Sequence, residues 1–321
     1  MAKVMDIFSL QFIGLKVYPF GLLTALGALS ACLMLLWLTR KDKRINDAAV
    51  LSMLLAVPLG LILSRALYCV SDINFRLVAS FRNALRLSTG GFSMFGALLG
   101  IFLSLLLASS VLRTNRQRMM DLMSPAVMVF ILFERLGEQF TMLGISRPLV
   151  TGLLNNTFLA FHDTYGVYLK TWLLEAIVAA VLVIVLLHSL GRQKKAGNTF
   201  LLWMLLFGST QTIMESLRYD GHMRFSFIGL QQVLAFTLFA IAVIVCAVRV
   251  LKMHVPRALP ITTLTALALV LGGVIGLEFL IDRSQINKAL LYILYVTMMA
   301  IPVFLAIRLR NRSELSGTKQ N

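Results

Sequence analysis

Residues 171–195 read TWLLEAIVAAVLVIVLLHSLGRQKK. Between Glu175 and His188 all 12 residues are apolar, and the run closes on Arg192, Lys194 and Lys195. A helix of about 20 mostly apolar residues crosses the hydrocarbon core of a bilayer. The run is continuous, without the alternation of a barrel strand, so its backbone must satisfy itself as an α-helix. The same stretch carries a basic cluster at one end and a carboxylate, Glu175, inside the apolar run at the other.

Outward from this stretch the pattern repeats. Apolar runs lie at 18–39, 46–70, 90–112, 119–142, 165–190, 197–217, 226–248, 260–281 and 286–307. The chain has 321 residues, 59% of them hydrophobic, and a mean hydropathy of +0.85. A soluble domain is roughly 45–50% apolar, and a core of this size cannot hide the excess. The expected fold is all-α, a polytopic membrane helix bundle of about nine transmembrane helices. Met1 to Lys16 has no basic start followed by an apolar stretch and a cleavage site, so the first span is expected to act as the insertion signal.

The net charge of +16 would suggest nucleic acid in a soluble protein. Here 17 of the 30 Lys and Arg fall in alternate connections: Arg40–Arg44, Arg113–Arg118, Arg192–Lys195, Arg249–Arg257 and the tail from Arg308. The positive-inside rule then puts the N-terminus outside and the C-terminus inside, and no nucleic-acid partner is expected. Cys32, Cys69 and Cys246 lie in apolar runs with no metal or redox spacing. They read as buried thiols, with no metal and no cofactor implied.

Two longer connections are external in this orientation. Residues 71–89 interleave Phe75, Leu77, Val78, Phe81, Leu85 and Leu87 with Arg76, Arg82 and Arg86, the pattern of an interfacial helix in contact with membrane lipids. Residues 143–164, with Pro148, Asn155 and Asn156, read as a loop or an arm over a site. The last two runs follow a basic linker, Lys252 to Pro260, and suggest an added hairpin.

Charge inside a bilayer is costly and marks a functional candidate. The candidates are Arg65, Glu134, Arg135, Glu138, Lys170, Glu175, Gln211, Glu215 and Arg218. All fall in the outer halves of their helices. Glu134 and Glu138 are spaced i,i+4, and Gln211, Glu215 and Arg218 follow i,i+4,i+7. One reading is structural, with Arg65 or Arg135 paired to Glu138 or Glu215. The other is a polar chamber toward the outer leaflet, where guanidinium groups suit a lipid phosphate. A transporter for an anionic solute would need polar inner halves as well, and those are apolar. Gly90-Gly91-Phe92-Ser93-Met94-Phe95-Gly96 adds glycines and a helix start, which serve either helix packing or an anion.

The layout resembles the bacterial prolipoprotein diacylglyceryl transferases over about residues 12–248. Gly60 to Tyr68 is similar to that family's second-span segment of glycines, an arginine and a tyrosine. Gly90 to Gly96 resembles its Gly-Gly-x-Ser-x-His-Gly motif. Arg135-Leu136-Gly137-Glu138 resembles its Gly-Arg-x-Gly-Asn, with Arg147 beyond. Gln211 to Arg218 resembles its Arg-x-x-x-Glu-x-x-Arg, and Gly229 to Gln232 the start of its seventh span. The departures are Phe95 for the motif histidine, Glu138 for the asparagine, Gln211 for the first arginine, and Phe20, near Tyr18, for a first-span tyrosine. Of the His-Pro-Ser-Gln segment only Glu175 remains, beside Trp172.

The resemblance implies a seven-span core over residues 1–250, with 251–321 an added two-helix hairpin and basic cytoplasmic tail in the bacterial inner membrane. It implies transfer of the diacylglyceryl group of phosphatidylglycerol to the lipobox cysteine of prolipoproteins. The alternative is a non-catalytic binder of phospholipid or lipoprotein precursors. The implied lipid-binding residues are Arg65, Arg135, Arg218, Gln211, Gly90, Gly91 and Ser93. Glu215 would orient an arginine and Glu138 would act as base for the thiol. External His162 or His222 are alternatives for that base, and His188 and His254 fall on the cytoplasmic side.

Overall fold

The structure is a computed structural model that describes residues 10–12, 15–72, 75, 80–86, 90–141, 143–148, 156–193, 195–219, 224–253 and 256–317. Among the described residues nine helices have 18 residues or more. They are α1 (Pro19–Thr39), α2 (Lys43–Ser71), α3 (Met94–Val111), α4 (Arg116–Gly137), α5 (Thr171–Arg192), α6 (Asn198–Leu217), α7 (Leu230–Leu251), α8 (Ala258–Arg283) and α9 (Lys288–Gly317). Each falls on one of the nine apolar runs. Eight are long and apolar enough to cross a membrane.

The exception is α4. Its 22 residues span about 33 Å at 1.5 Å per residue, but they include Asp121, Glu134 and Arg135. Asp121 is fully buried, as is most of the helix from Met119 to Ile131. A helix enclosed by protein need not be apolar all round. The outward faces of the other helices are apolar: Ile184 and Leu269 are 69% and 72% exposed in mid-helix. In water such faces would be costly, and in lipid they are at home.

The basic connections contain the helix starts. Asp42, within Arg40–Arg44, caps α2 by accepting from the Ile45 amide at 3.2 Å. Asn115 caps α4 by accepting from the Gln117 and Arg118 amides at 3.0 and 3.1 Å.

Among the described residues there are three two-stranded antiparallel pairings, one ahead of α1 and two in connections between helices. They pair β1 (Leu10–Phe12) with β2 (Leu15–Val17), β3 (Ala160–Asp163) with β4 (Gly166–Leu169), and β5 (Arg224–Phe225) with β6 (Ile228–Gly229). The run expected from residue 165 therefore begins as a strand, and its helix starts only at Thr171. Continuous apolarity does not distinguish a strand from the first turns of a helix. Of the interfacial helix expected over 71–89, the described residues include one five-residue helix, Phe81–Leu85, capped by Ser80. Arg76, Leu77, Val78, Leu87 and Asn155 lie outside the described residues.

The chain divides into two compact units, Met1–Leu187 with Leu217–Met223, and His188–Ser216 with Arg224–Asn321. In the first, α2 packs along α3 and α1 along α4. The α2–α3 approach is set by glycine: a Cβ on Gly100 would stand 2.6 Å from the Gly60 backbone, and one on Gly96 would strike Leu63 O. Backbone contact of this kind is how membrane helices gain dispersion energy where lipid removes the hydrophobic drive between them.

In the second unit, α8 and α9 pack on each other and on α7, and polar side chains fasten them at both ends. At one end Gln232 Nε2, from α7, donates to Glu278 Oε1 at 2.6 Å and to Tyr295 Oη at 3.0 Å. At the other, Asn198 donates to Glu314 at 2.6 Å and accepts from Arg249 at 2.8 Å. Gln232, Glu278 and Tyr295 are all buried, so these bonds also satisfy groups that have no water to turn to.

Gly100→Leu should lower the thermal unfolding midpoint in detergent by an amount matching about 1–3 kcal/mol of overpacking. Gly21, on α1 with nothing within 4 Å of its Cβ position, should accept alanine without loss. Equal midpoints for Gly100→Leu and wild type would contradict the close α2–α3 contact.

Candidate active site

Four buried charged side chains converge in the first unit. Arg135 sits in the last turn of α4 and Glu138 in the 3-10 turn that follows, Glu138–Phe140. Glu175 lies one turn into α5, and Arg218 comes directly after α6. They are 3%, 3%, 4% and 4% exposed respectively.

Their pairing is reciprocal. Arg135 Nη1 donates to Glu138 Oε1 at 2.6 Å, and Arg135 Nε stands 2.5 Å from Glu175 Oε2. Arg218 Nη2 donates to Glu138 Oε1 at 2.8 Å and its Nη1 to Glu138 Oε2 at 3.0 Å. Arg218 Nη1 also lies 3.1 and 3.2 Å from the two oxygens of Glu175. Each carboxylate thus bridges both arginines. A lone buried charge carries a large desolvation penalty, which pairing with extra hydrogen bonds offsets.

Backbone pairing brings these residues to one place. Gly144 O accepts from the Trp172 amide at 2.9 Å, Ser146 N donates to Leu169 O at 3.0 Å, and Tyr219 N donates to Ile145 O at 2.9 Å. Residues 144–146 are therefore stitched on one side to the start of α5 and on the other to the Arg218 segment, with Ser146 bridged to Arg218. Glu138 Oε2 lies 2.5 Å from where a Gly144 Cβ would stand, so glycine there makes room for the carboxylate.

A third carboxylate, Glu134, stands beside the four. Its Oε2 is 3.4 Å from Arg135 Nε. Arg135 Nη2 meets the Met94 sulfur at 2.8 Å. A thioether is a weak acceptor, so that edge of the guanidinium would gain from an anion.

Arg65 forms a separate structure. Its Nε donates to Ala84 O at 3.0 Å, its Nη2 to Asn83 O at 2.8 Å and Arg86 O at 3.1 Å, and its Nη1 to Gly91 O at 2.9 Å and to Gly90 O. Five donors meet five carbonyls. Gly90 and Gly91 adopt φ of 69° and 82°, a backbone that glycine takes without strain. The guanidinium also lies 5.5 Å from the Tyr68 and Phe75 ring centroids and 6.0 Å from that of Phe92. The work of Arg65 seen here is to shape the Gly-rich loop. Ser93 is buried, and its amide donates to Ser64 O at 3.1 Å.

In the second unit Gln211 Nε2 donates to Glu215 Oε1 at 3.0 Å. Within the first unit the sequence-derived candidates form two groups, Arg135, Glu138 and Arg218 together and Arg65 with Gly90 and Gly91. Both arginines of the first group are held by Glu138 and Glu175. The i,i+4 relation of Glu134 and Glu138 gives way to an i,i+3 pair, Arg135 with Glu138, because α4 tightens into a 3-10 turn at Gly137. Arg147 stacks over Tyr219 at 5.2 Å. Lys170 Nζ donates to Phe158 O at 3.0 Å. His162 is exposed on β3, and His222 and His254 lie outside the described residues. Sequence reading passed over Gly144, which carries no charge to draw attention.

An α-helical bundle of membrane-crossing length, with a buried arginine–carboxylate cluster at helix ends, defines a polytopic membrane protein with a polar site. Comparison with known proteins makes the class specific. The prolipoprotein diacylglyceryl transferase family matches residues 7–248, and the chain belongs to it. Among similar proteins are phosphatidylglycerol–prolipoprotein diacylglyceryl transferases of Listeria welshimeri, 24% identical over 78% of this chain and 92% of the relative, and of Clostridium tetani, 27% identical over 69% and 89%. That of Bacillus velezensis is 23% identical over 74% and 90%. The family match ends before α8 and α9.

Arg65→Lys keeps the charge but offers three donors in place of five. Each buried carbonyl left without a donor costs about 1–3 kcal/mol. Trypsin should then cut faster after Arg82 and Arg86 than in wild type. An unchanged cleavage rate would contradict the clamp.

Proposed function

We propose that this protein transfers the diacylglyceryl group of phosphatidylglycerol to the lipobox cysteine of prolipoproteins, as a multi-pass enzyme of the bacterial inner membrane with its N-terminus outside. The observation that carries this reading is the Arg135–Glu138–Glu175–Arg218 cluster, held in a chain of the transferase family. The reaction breaks a carbon–oxygen bond to phosphate, and negative charge grows on the departing glycerol phosphate. Guanidinium groups already fixed by carboxylates stabilise that charge without reorganising. Arg135 Nη2, which among the described residues donates to the Met94 sulfur, offers the phosphate a donor edge. Glu138 and Glu175 keep both guanidiniums in place between turnovers. A thiolate is the nucleophile, so a base near the cluster completes the chemistry.

A second reading is a non-catalytic binder of phospholipid or lipoprotein precursor. Two observations favour it: Phe95 stands where the motif histidine would, and both arginines already face carboxylates.

Purified protein mixed with phosphatidylglycerol vesicles and a lipobox peptide should increase the peptide mass by one diacylglyceryl group. Arg135→Ala should reduce the initial rate by about 100-fold or more, the cost of removing one preorganised oxyanion donor. An unmodified peptide that nonetheless binds the wild-type protein would establish the binder instead.

A further inference from the structure

The cluster contains two guanidiniums and three carboxylates, so one carboxylate is surplus to the pairing. The geometry says which. Glu138 accepts from Arg135 Nη1 and from both terminal nitrogens of Arg218. Glu175 has both oxygens on Arg218 Nη1, and one of them also on Arg135 Nε. Their side chains are 4% and 2% exposed. An oxygen saturated with guanidinium hydrogens is poorly placed to receive another proton.

Glu134 differs in each respect. Its Oε2 is buried and accepts no hydrogen bond. Its ion-pair distance to Arg135 Nε is 3.4 Å, the longest in the cluster. Its side chain is 17% exposed, more than those of Glu138 and Glu175. The charged groups acting on it are Arg135, Glu138, Arg218 and Glu175. α1, which packs along α4, has no charged residue among its 21, and α3 has none among its 18. A buried oxygen without a donor is an expensive feature, and at a reactive site it is a vacancy for a proton.

We propose that Glu134 is the general base that takes the proton from the prolipoprotein cysteine. The assignment rests on the transferase reading. The thiol proton passes to the Glu134 carboxylate. The sulfur electron pair forms a bond to the glyceryl carbon that bears the phosphate ester. The bond from that carbon to oxygen breaks, and its electron pair leaves with glycerol phosphate beside Arg135. Glu134 then releases its proton to water or to the departing phosphate. Base and phosphate-binding donors thus come from consecutive residues, Glu134 and Arg135.

The test is the initial rate with phosphatidylglycerol vesicles and a lipobox peptide, from about pH 6 to pH 10, for wild type, Glu134→Gln, Glu134→Asp and Glu138→Gln. A general base contributes about 100-fold or more, so Glu134→Gln should lose about that at pH 7. The loss should shrink to a few-fold once pH passes the thiol's own pKa of about 8.5, because an ionised thiol needs no base. The KM for phosphatidylglycerol should change little, and Glu134→Asp should restore part of the rate with the same narrowing. Glu138→Gln, which leaves Arg218 held by Glu175 alone, should show a deficit that does not narrow. A wild-type rate in Glu134→Gln, or a deficit equal at all pH, would remove Glu134 from the role while leaving the transferase reading in place. No product from wild type would overturn both.

Discussion

Two arginines far apart in sequence share two carboxylates, and the first unit is organised around that arrangement. Arg135, Glu138, Glu175 and Arg218 come from the end of α4, the turn after it, the start of α5 and the residue after α6. None is tolerable alone at membrane depth, and removal of one partner of a buried pair costs about 3–5 kcal/mol. The bridging makes the helix ends interdependent. Backbone pairing joins the same segments: residues 144–146 pair with Leu169 to Trp172 on one side and Arg218 to Tyr219 on the other. The glycine at 144 is required because Glu138 occupies the space of its side chain. Function follows from the same constraint, since guanidiniums held in advance suit an anion that appears only during reaction.

The long helices were legible in the sequence because lipid imposes a strong length and hydropathy signal. α4 was legible as well, although its Asp121, Glu134 and Arg135 make it the most polar of the nine. What composition could not show was that its polarity reflects enclosure by protein. The hairpins were not legible. β4 reads as the start of an apolar run, and only its pairing with β3 makes it a strand. At the site, charge at membrane depth pointed to Arg135, Glu138 and Arg218. It pointed equally to Arg65, whose five hydrogen bonds go to carbonyls. Carbonyl acceptors leave no trace in a sequence, so a clamp and a ligand-binding arginine look alike there.

The second unit applies the same physics differently. α8 and α9 lie beyond the family match, yet they are fixed by polar bonds to helices that fall within it: Glu278 and Tyr295 to Gln232 on α7, and Glu314 to Asn198 on α6. In lipid, apolar surface alone does not choose a partner helix. Buried hydrogen bonds supply the register that hydrophobicity cannot.

Glu138 and Arg218, so paired, should be energetically coupled inside the protein. A double-mutant cycle of Glu138→Gln and Arg218→Gln, read as unfolding free energy in detergent, measures that coupling. The expected interaction is about 2 kcal/mol, with the double variant less damaged than the sum of the singles. Effects that add to within about 0.5 kcal/mol would contradict it.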